Sequence, residues 1–146
     1  MSIHGGCLCG AITYEIDEPP AVAVHCHCSI CRRVHGASFG TFAVVSNSKF
    51  RWTQGAEKLR EYESGPGNLR QFCPRCGSQI TVVEGWNPDG VTICMGSFYG
   101  DPKIRPSAHM YAGSKAPWWE IADDLPQSDE WPEGVGPNAD SAQADG

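Results

Sequence analysis

Seven cysteines fall in three short groups, and their spacing constrains this chain more than any other feature. Cys26, Cys28 and Cys31 lie within His25-Cys26-His27-Cys28-Ser29-Ile30-Cys31. Cys7 and Cys9 sit in the glycine-flanked clip Gly5-Gly6-Cys7-Leu8-Cys9-Gly10, and Cys73 and Cys76 in Cys73-Pro74-Arg75-Cys76-Gly77. An even count of thiols in a secreted chain would suggest a disulfide framework. Here the thiols come as tight pairs and a triplet, and neighbouring Cys-x-Cys side chains diverge along an extended backbone. The N-terminus has no basic region followed by an apolar stretch, so no secretory signal and a cytoplasmic location are expected. Metal binding is the expected use of the sulfurs.

The metal arithmetic follows. Cys73-x2-Cys76-Gly77 has the form of a zinc knuckle, whose glycine lets the backbone donate hydrogen bonds to the sulfurs. A knuckle supplies two ligands, and a closed structural site requires four. Seven thiols cannot fill two closed sites, so four plus three leaves one site open. Spacing alone does not say which. Clip plus knuckle leaves Cys26, Cys28 and Cys31, whereas clip plus two members of the triplet leaves the knuckle incomplete. Compactness favours the first partition. Cys94, the eighth, alternates with Thr92 in an apolar run and reads as a small buried hydrophobe, with a fourth-ligand role as the alternative. In an extended segment His25 and His27 share the face opposite Cys26 and Cys28, which points to supporting or packing roles. His35 and His109 carry no motif. Arg32 and Arg33 fit a solvated face or an anion clamp beside the metal equally well.

Length and composition suit one β-rich domain. The 146 residues include 17 glycines and 11 prolines, which favour short strands and turns. A net charge of −6 argues against nucleic acid, since phosphate neutralisation needs a basic surface. No apolar run approaches the ~20 residues of a membrane span. Strands are expected over Ala11–Ile16, Ala21–Val24, Phe39–Val45, Phe50–Trp52, Leu59–Tyr62, Leu69–Phe72, Gln79–Val83, Val91–Met95 and His109–Tyr111. One short helix, capped by Ser29 and stopped by Gly36, follows the triplet. Trp118 and Trp119 predict an ordered loop. Residues 1–124 form the expected zinc-binding domain, and residues 125–146 an acidic, disordered tail.

The three cysteine motifs, in this order, resemble the glutathione-dependent formaldehyde-activating enzymes, a family that includes the centromere protein V type. Ser114-Lys115-Ala116-Pro117-Trp118 and the following Glu120–Pro126 are similar to the family's closing segment, so the resemblance spans residues 4–127. It implies a mainly β fold of small stacked antiparallel sheets stapled by zinc, of the Rab-GTPase accessory-factor type. It also implies two zinc ions per chain: a structural one on Cys7, Cys9, Cys73 and Cys76, and a catalytic one on Cys26, Cys28 and Cys31. The implied activity is carbon–sulfur lyase chemistry, forming or cleaving S-hydroxymethylglutathione from glutathione and formaldehyde. His27 or Arg32 would then be the donor to the developing alkoxide, Lys115 the partner of a substrate carboxylate, and Trp118 and Trp119 the pocket wall. Family members tied to glutathione and formaldehyde tend to be longer, which leaves the identity of the thiol open. The alternative is a non-catalytic zinc-stapled protein interaction module, with Cys94 or a histidine closing the second site.

Overall fold

Strict alternation along Ile12, Tyr14 and Ile16 puts all three on one face, and all three are fully buried. The computed structural model describes residues 2–137. In it, β1 (Ile3–Gly6), β2 (Thr13–Ile16) and β5 (Phe50–Gln54) form a three-stranded antiparallel sheet in the order β1-β2-β5. The larger sheet contains β3 (Val22–Cys26), β4 (Gly40–Ser46), β6 (Arg60–Gly65), β7 (Asn68–Phe72), β8 (Gln79–Val83), β9 (Gly90–Cys94) and β10 (His109–Met110). Its order is β10-β3-β4-β9-β8-β7-β6, antiparallel except where β10 runs parallel to β3. The mainly β fold of small antiparallel sheets is as expected. Among the described residues no helix is long and apolar enough to cross a membrane.

The larger sheet is apolar on both faces. Ile3, Ile12, Tyr14 and Ile16 pack with Val45, Ile80 and Ile93 in one core. Val24, Phe42, Val82, Cys94 and Met110 form a second core that also holds Cys26 and Cys31. Ile80 and Val82 share a parity yet serve different cores. A register shift explains this: Phe72 pairs with Gln79 while Gln71 pairs with Thr81, which makes Ile80 the extra residue of a bulge.

Local differences from expectation have physical causes. Ile3–Gly6 forms a strand although two of its four residues are glycines, because β2 and the bridge from Gly5 to Phe98 supply its partners. The helix α1 (Ser29–His35) is capped by Cys28 rather than Ser29, the Cys28 sulfur accepting the Cys31 N–H at 3.3 Å. Gly36 ends it in the left-handed region. The segment after Leu125 also differs from the expected disorder. His109 donates its N–H to Pro126, Ser128 donates back to His109, and Tyr111 donates to Glu130, each at 2.9 Å. Trp131 meets Trp86 and Tyr111 edge-on, with ring centroids 5.4 and 5.9 Å away. One tryptophan and a short ladder anchor what acidic composition would leave loose. The rest of the expected tail, 138–146, lies outside the described residues.

Candidate metal centres and the adjoining cavity

The seven motif cysteines gather as four and three. The sulfurs of Cys7, Cys9, Cys73 and Cys76 all lie within 4.8 Å of one another, as do those of Cys26, Cys28 and Cys31. Cys7 to Cys9 is 3.6 Å and Cys9 to Cys73 is 3.8 Å. A tetrahedral four-sulfur shell with ~2.3 Å zinc–sulfur bonds has edges of about 3.8 Å, so the first cluster fits such an ion. The partition is the one that compactness favoured. The clip joins β1 to β2 and the knuckle joins β7 to β8, so this cluster ties the small sheet to the large one. Around it, the Ile12 N–H donates to the Cys7 sulfur at 3.3 Å, and the Ser78 hydroxyl lies 3.2 Å from Cys76. That hydroxyl pulls the Cys76 thiol down to about 5.

The triplet is built differently. Cys26 ends β3, Cys28 caps α1 and Cys31 lies in its first turn. Hydrogen bonds from the Cys26 and Cys31 thiols, reinforced by the backbone N–H of Cys31, hold Cys28 down to about 2. Those same hydrogen bonds, together with burial, push Cys26 far up. Among the described residues no fourth histidine, cysteine or carboxylate joins the three sulfurs within that radius. Cys94 instead packs in the second core, and burial pushes its thiol up to about 12.

A cavity of about 360 Å³ adjoins the triplet, and Cys26, Cys28 and Cys31 form part of its wall. Phe42, Val82 and Met110 line it from the sheet, and Trp86 and Trp131 from the loops. Two charged residues that sequence reasoning missed also line it, buried Arg70 and half-buried Glu84. Arg70 donates from Nε to the Ser64 hydroxyl at 3.1 Å and from Nη2 to the Cys31 sulfur at 3.6 Å. Its Nη1 is buried without a partner. Burial raises the Glu84 carboxyl above the usual carboxylate range, against the Thr92 hydroxyl that donates to it at 3.2 Å. The available signal for Arg70 was its parity with Asn68 and Phe72 on a strand leading into the knuckle.

The other expected site residues lie elsewhere. His27 is fully buried, its Nε2 2.8 Å from Nδ1 of His109, whose Nε2 is 2.9 Å from Asp123. His25 stacks on His109. Arg32 donates from Nε to the His27 carbonyl at 3.3 Å, and Lys115 donates to the Trp119 carbonyl at 2.7 Å. Trp118 is 67 % exposed, and Trp119 touches Phe39 edge-on. None of His27, Arg32, Lys115 and Trp118 lines the cavity.

Residues 2–114 match the family model described as glutathione-dependent formaldehyde-activating enzyme. The chain belongs to this family. A Halomonas elongata protein named "Putative glutathione-dependent formaldehyde-activating enzyme" is 29 % identical over 129 residues, which cover 83 % of this chain and 82 % of that protein. The crystal structure of a Rhodobacter sphaeroides protein superposes with a TM-score of 0.58 at 29 % identity, covering 70 % of this chain and 91 % of that one. The matched region contains all three cysteine groups and Arg70, and it stops before the 126–131 segment that packs on β10.

Proposed function

We propose that the protein is a zinc-dependent carbon–sulfur lyase that forms or cleaves a thiol–aldehyde adduct such as S-hydroxymethylglutathione. In this reading Cys7, Cys9, Cys73 and Cys76 hold a structural zinc, and Cys26, Cys28 and Cys31 a catalytic one. The observation that carries it is the three-sulfur cluster in the wall of a cavity large enough for a small molecule. Zinc bound there supplies a Lewis acid that favours the deprotonated form of a substrate thiol.

The chain's own residues do the rest. Cys26, Cys28 and Cys31 would hold the ion with room for a substrate sulfur beside it. The apolar walls exclude water, which competes for the aldehyde and screens charge. In the forward direction the substrate sulfur bonds to the aldehyde carbon, the carbonyl π bond breaks, and the thiol proton ends on oxygen. Cleavage reverses each step. His27 and Arg32 act on the backbone of the triplet: the Arg32 side chain holds the His27 carbonyl, and His109 holds the His27 ring at 2.8 Å.

Exchange NMR of formaldehyde with glutathione tests the reading. The zinc-loaded protein is expected to accelerate adduct formation, and a Cys28→Ser variant with an unchanged circular dichroism spectrum to return it to the spontaneous rate. Equal rates with and without protein would remove the named adduct. A Cys28→Ser chain that fails to fold would favour the interaction-module reading, in which both metals are structural.

A further inference from the structure

The cavity beside the triplet carries one cation and one carboxylate among its lining residues, Arg70 and Glu84, on otherwise largely apolar walls. Arg70 is 9 % exposed and has two of its three nitrogens engaged, by Ser64 and by Cys31. The third, Nη1, is a buried donor on a charged group with no acceptor. Such a donor is costly to leave unpaired, and a planar carboxylate is the acceptor a guanidinium fork fits best. Glu84, the carboxylate among the lining residues, takes its hydrogen bond from Thr92.

Resting on the thiol–aldehyde reading above, we propose that the thiol admitted at Cys26, Cys28 and Cys31 is a compact apolar mercapto acid whose single carboxylate pairs with Arg70. Three features set the class. The first is distance. Nη2 of the same guanidinium lies 3.6 Å from the Cys31 sulfur, which favours a ligand whose carboxylate is close to its thiol. The second is charge. Glutathione carries two carboxylates and an ammonium, and the described lining offers one cation, so a tripeptide leaves charges unpaired against Val82, Phe42 and Met110 and enters as the weaker-binding thiol. The third is size, because about 360 Å³ is at the small end of ligand pockets. An aryl or branched body fills the apolar part.

Trp86 and Trp131 line the cavity, so their fluorescence reports occupancy directly. The test titrates 2-mercaptobenzoate, benzenethiol and glutathione into the zinc-loaded full chain by fluorescence, and into the cobalt-substituted chain by absorption. The expected result is at least roughly tenfold tighter binding of 2-mercaptobenzoate than of either other thiol, the size of one charge-assisted pair. Arg70→Gln should erase the preference over benzenethiol. The methyl ester of 2-mercaptobenzoate makes the same comparison on the unaltered protein and should bind like benzenethiol. Glutathione binding as tightly as 2-mercaptobenzoate, an ester binding as well as the acid, or Arg70→Gln weakening all thiols alike each overturns the proposal. Glutathione alone shifting the cobalt spectrum would do so while leaving the open site standing. No thiol shifting it, with cobalt retained, would overturn the open site as well.

Discussion

Removing one thiolate from each cluster is expected to have unequal consequences for stability. Cys9 is exposed and Cys28 is half-buried, so serine at either position leaves no large cavity and the effect is that of the lost metal. The first cluster joins Cys9 to Cys73, 64 residues apart in sequence. Treated as a crosslink, closing a loop of that length lowers the entropy of the unfolded chain by an amount worth about 4 kcal/mol. The triplet closes a loop of only a few residues, worth about 2 kcal/mol on the same relation. Domains of this size are stable by only ~5–15 kcal/mol, so Cys9→Ser should lower the melting temperature by about 10–20 °C and Cys28→Ser by about half that. Urea denaturation followed by circular dichroism, with metal content measured on the same samples, gives both values. Equal losses from the two variants would refute the assignment of the sheet-joining role to one cluster. So would a Cys9→Ser variant that releases metal and loses less than about 1 kcal/mol.

Three further outcomes follow from single residues. Burial raises the Glu84 carboxyl, so the folded chain keeps a proton that the unfolded chain has released, and stability falls as pH rises from the ordinary carboxylate range through the folded value. Glu84→Gln, uncharged throughout, should therefore gain in melting temperature over the parent as pH rises above the ordinary carboxylate range; a constant difference would contradict this. Gly55 has φ +75°, and a Cβ there would run into the Ala11 carbonyl, so Gly55→Ala should cost about 2 kcal/mol or more by chemical denaturation. Trp131→Ala should detach the 126–131 segment from β10, read as faster hydrogen exchange at the amides of Tyr111 and Ser128 with no change at Ile93.

How much of this was readable from residues alone depended on the range of the interaction. The cysteine groups are local, and their partition into four and three followed from counting ligands. Most strands lay where alternation put them, because period-two patterns record which face is buried. Ile3–Gly6 escaped because glycines have low strand propensity and only pairing with β2 makes them a strand. The 126–131 segment escaped because its order comes from backbone bonds to His109 and Tyr111 and from one tryptophan, none of which shows in composition. Arg70 and Glu84 escaped for a related reason. They meet the triplet only through a sheet in which β7 and β8 lie three and two strands away from β4. The exposed Trp118 misled in the other direction, since a bulky aromatic near a motif suggests a wall and this one faces solvent.

The contrast between the two clusters also explains why ligand exchange would sit at the triplet. A site whose ligands come from two sheets holds those sheets together, so opening it to an incoming sulfur would loosen the first core around Ile12, Tyr14 and Ile93. The triplet has no such duty. Cys26 is fixed by β3, which pairs with β4 on one side and β10 on the other. Cys28 is fixed by its capping bond, and Cys31 by its place in the first turn of α1. These anchors set the three sulfurs within 4.8 Å of each other without requiring a fourth protein ligand. If the triplet's geometry is held by its backbone in this way, removing a metal ion loaded at it should raise amide exchange in β3 and α1 by no more than the loss of global stability, while stripping the four-sulfur site should expose β1, β2 and the knuckle. Collapse of protection in β3 on losing only the triplet's metal would show that the ion, and not the backbone, builds the site.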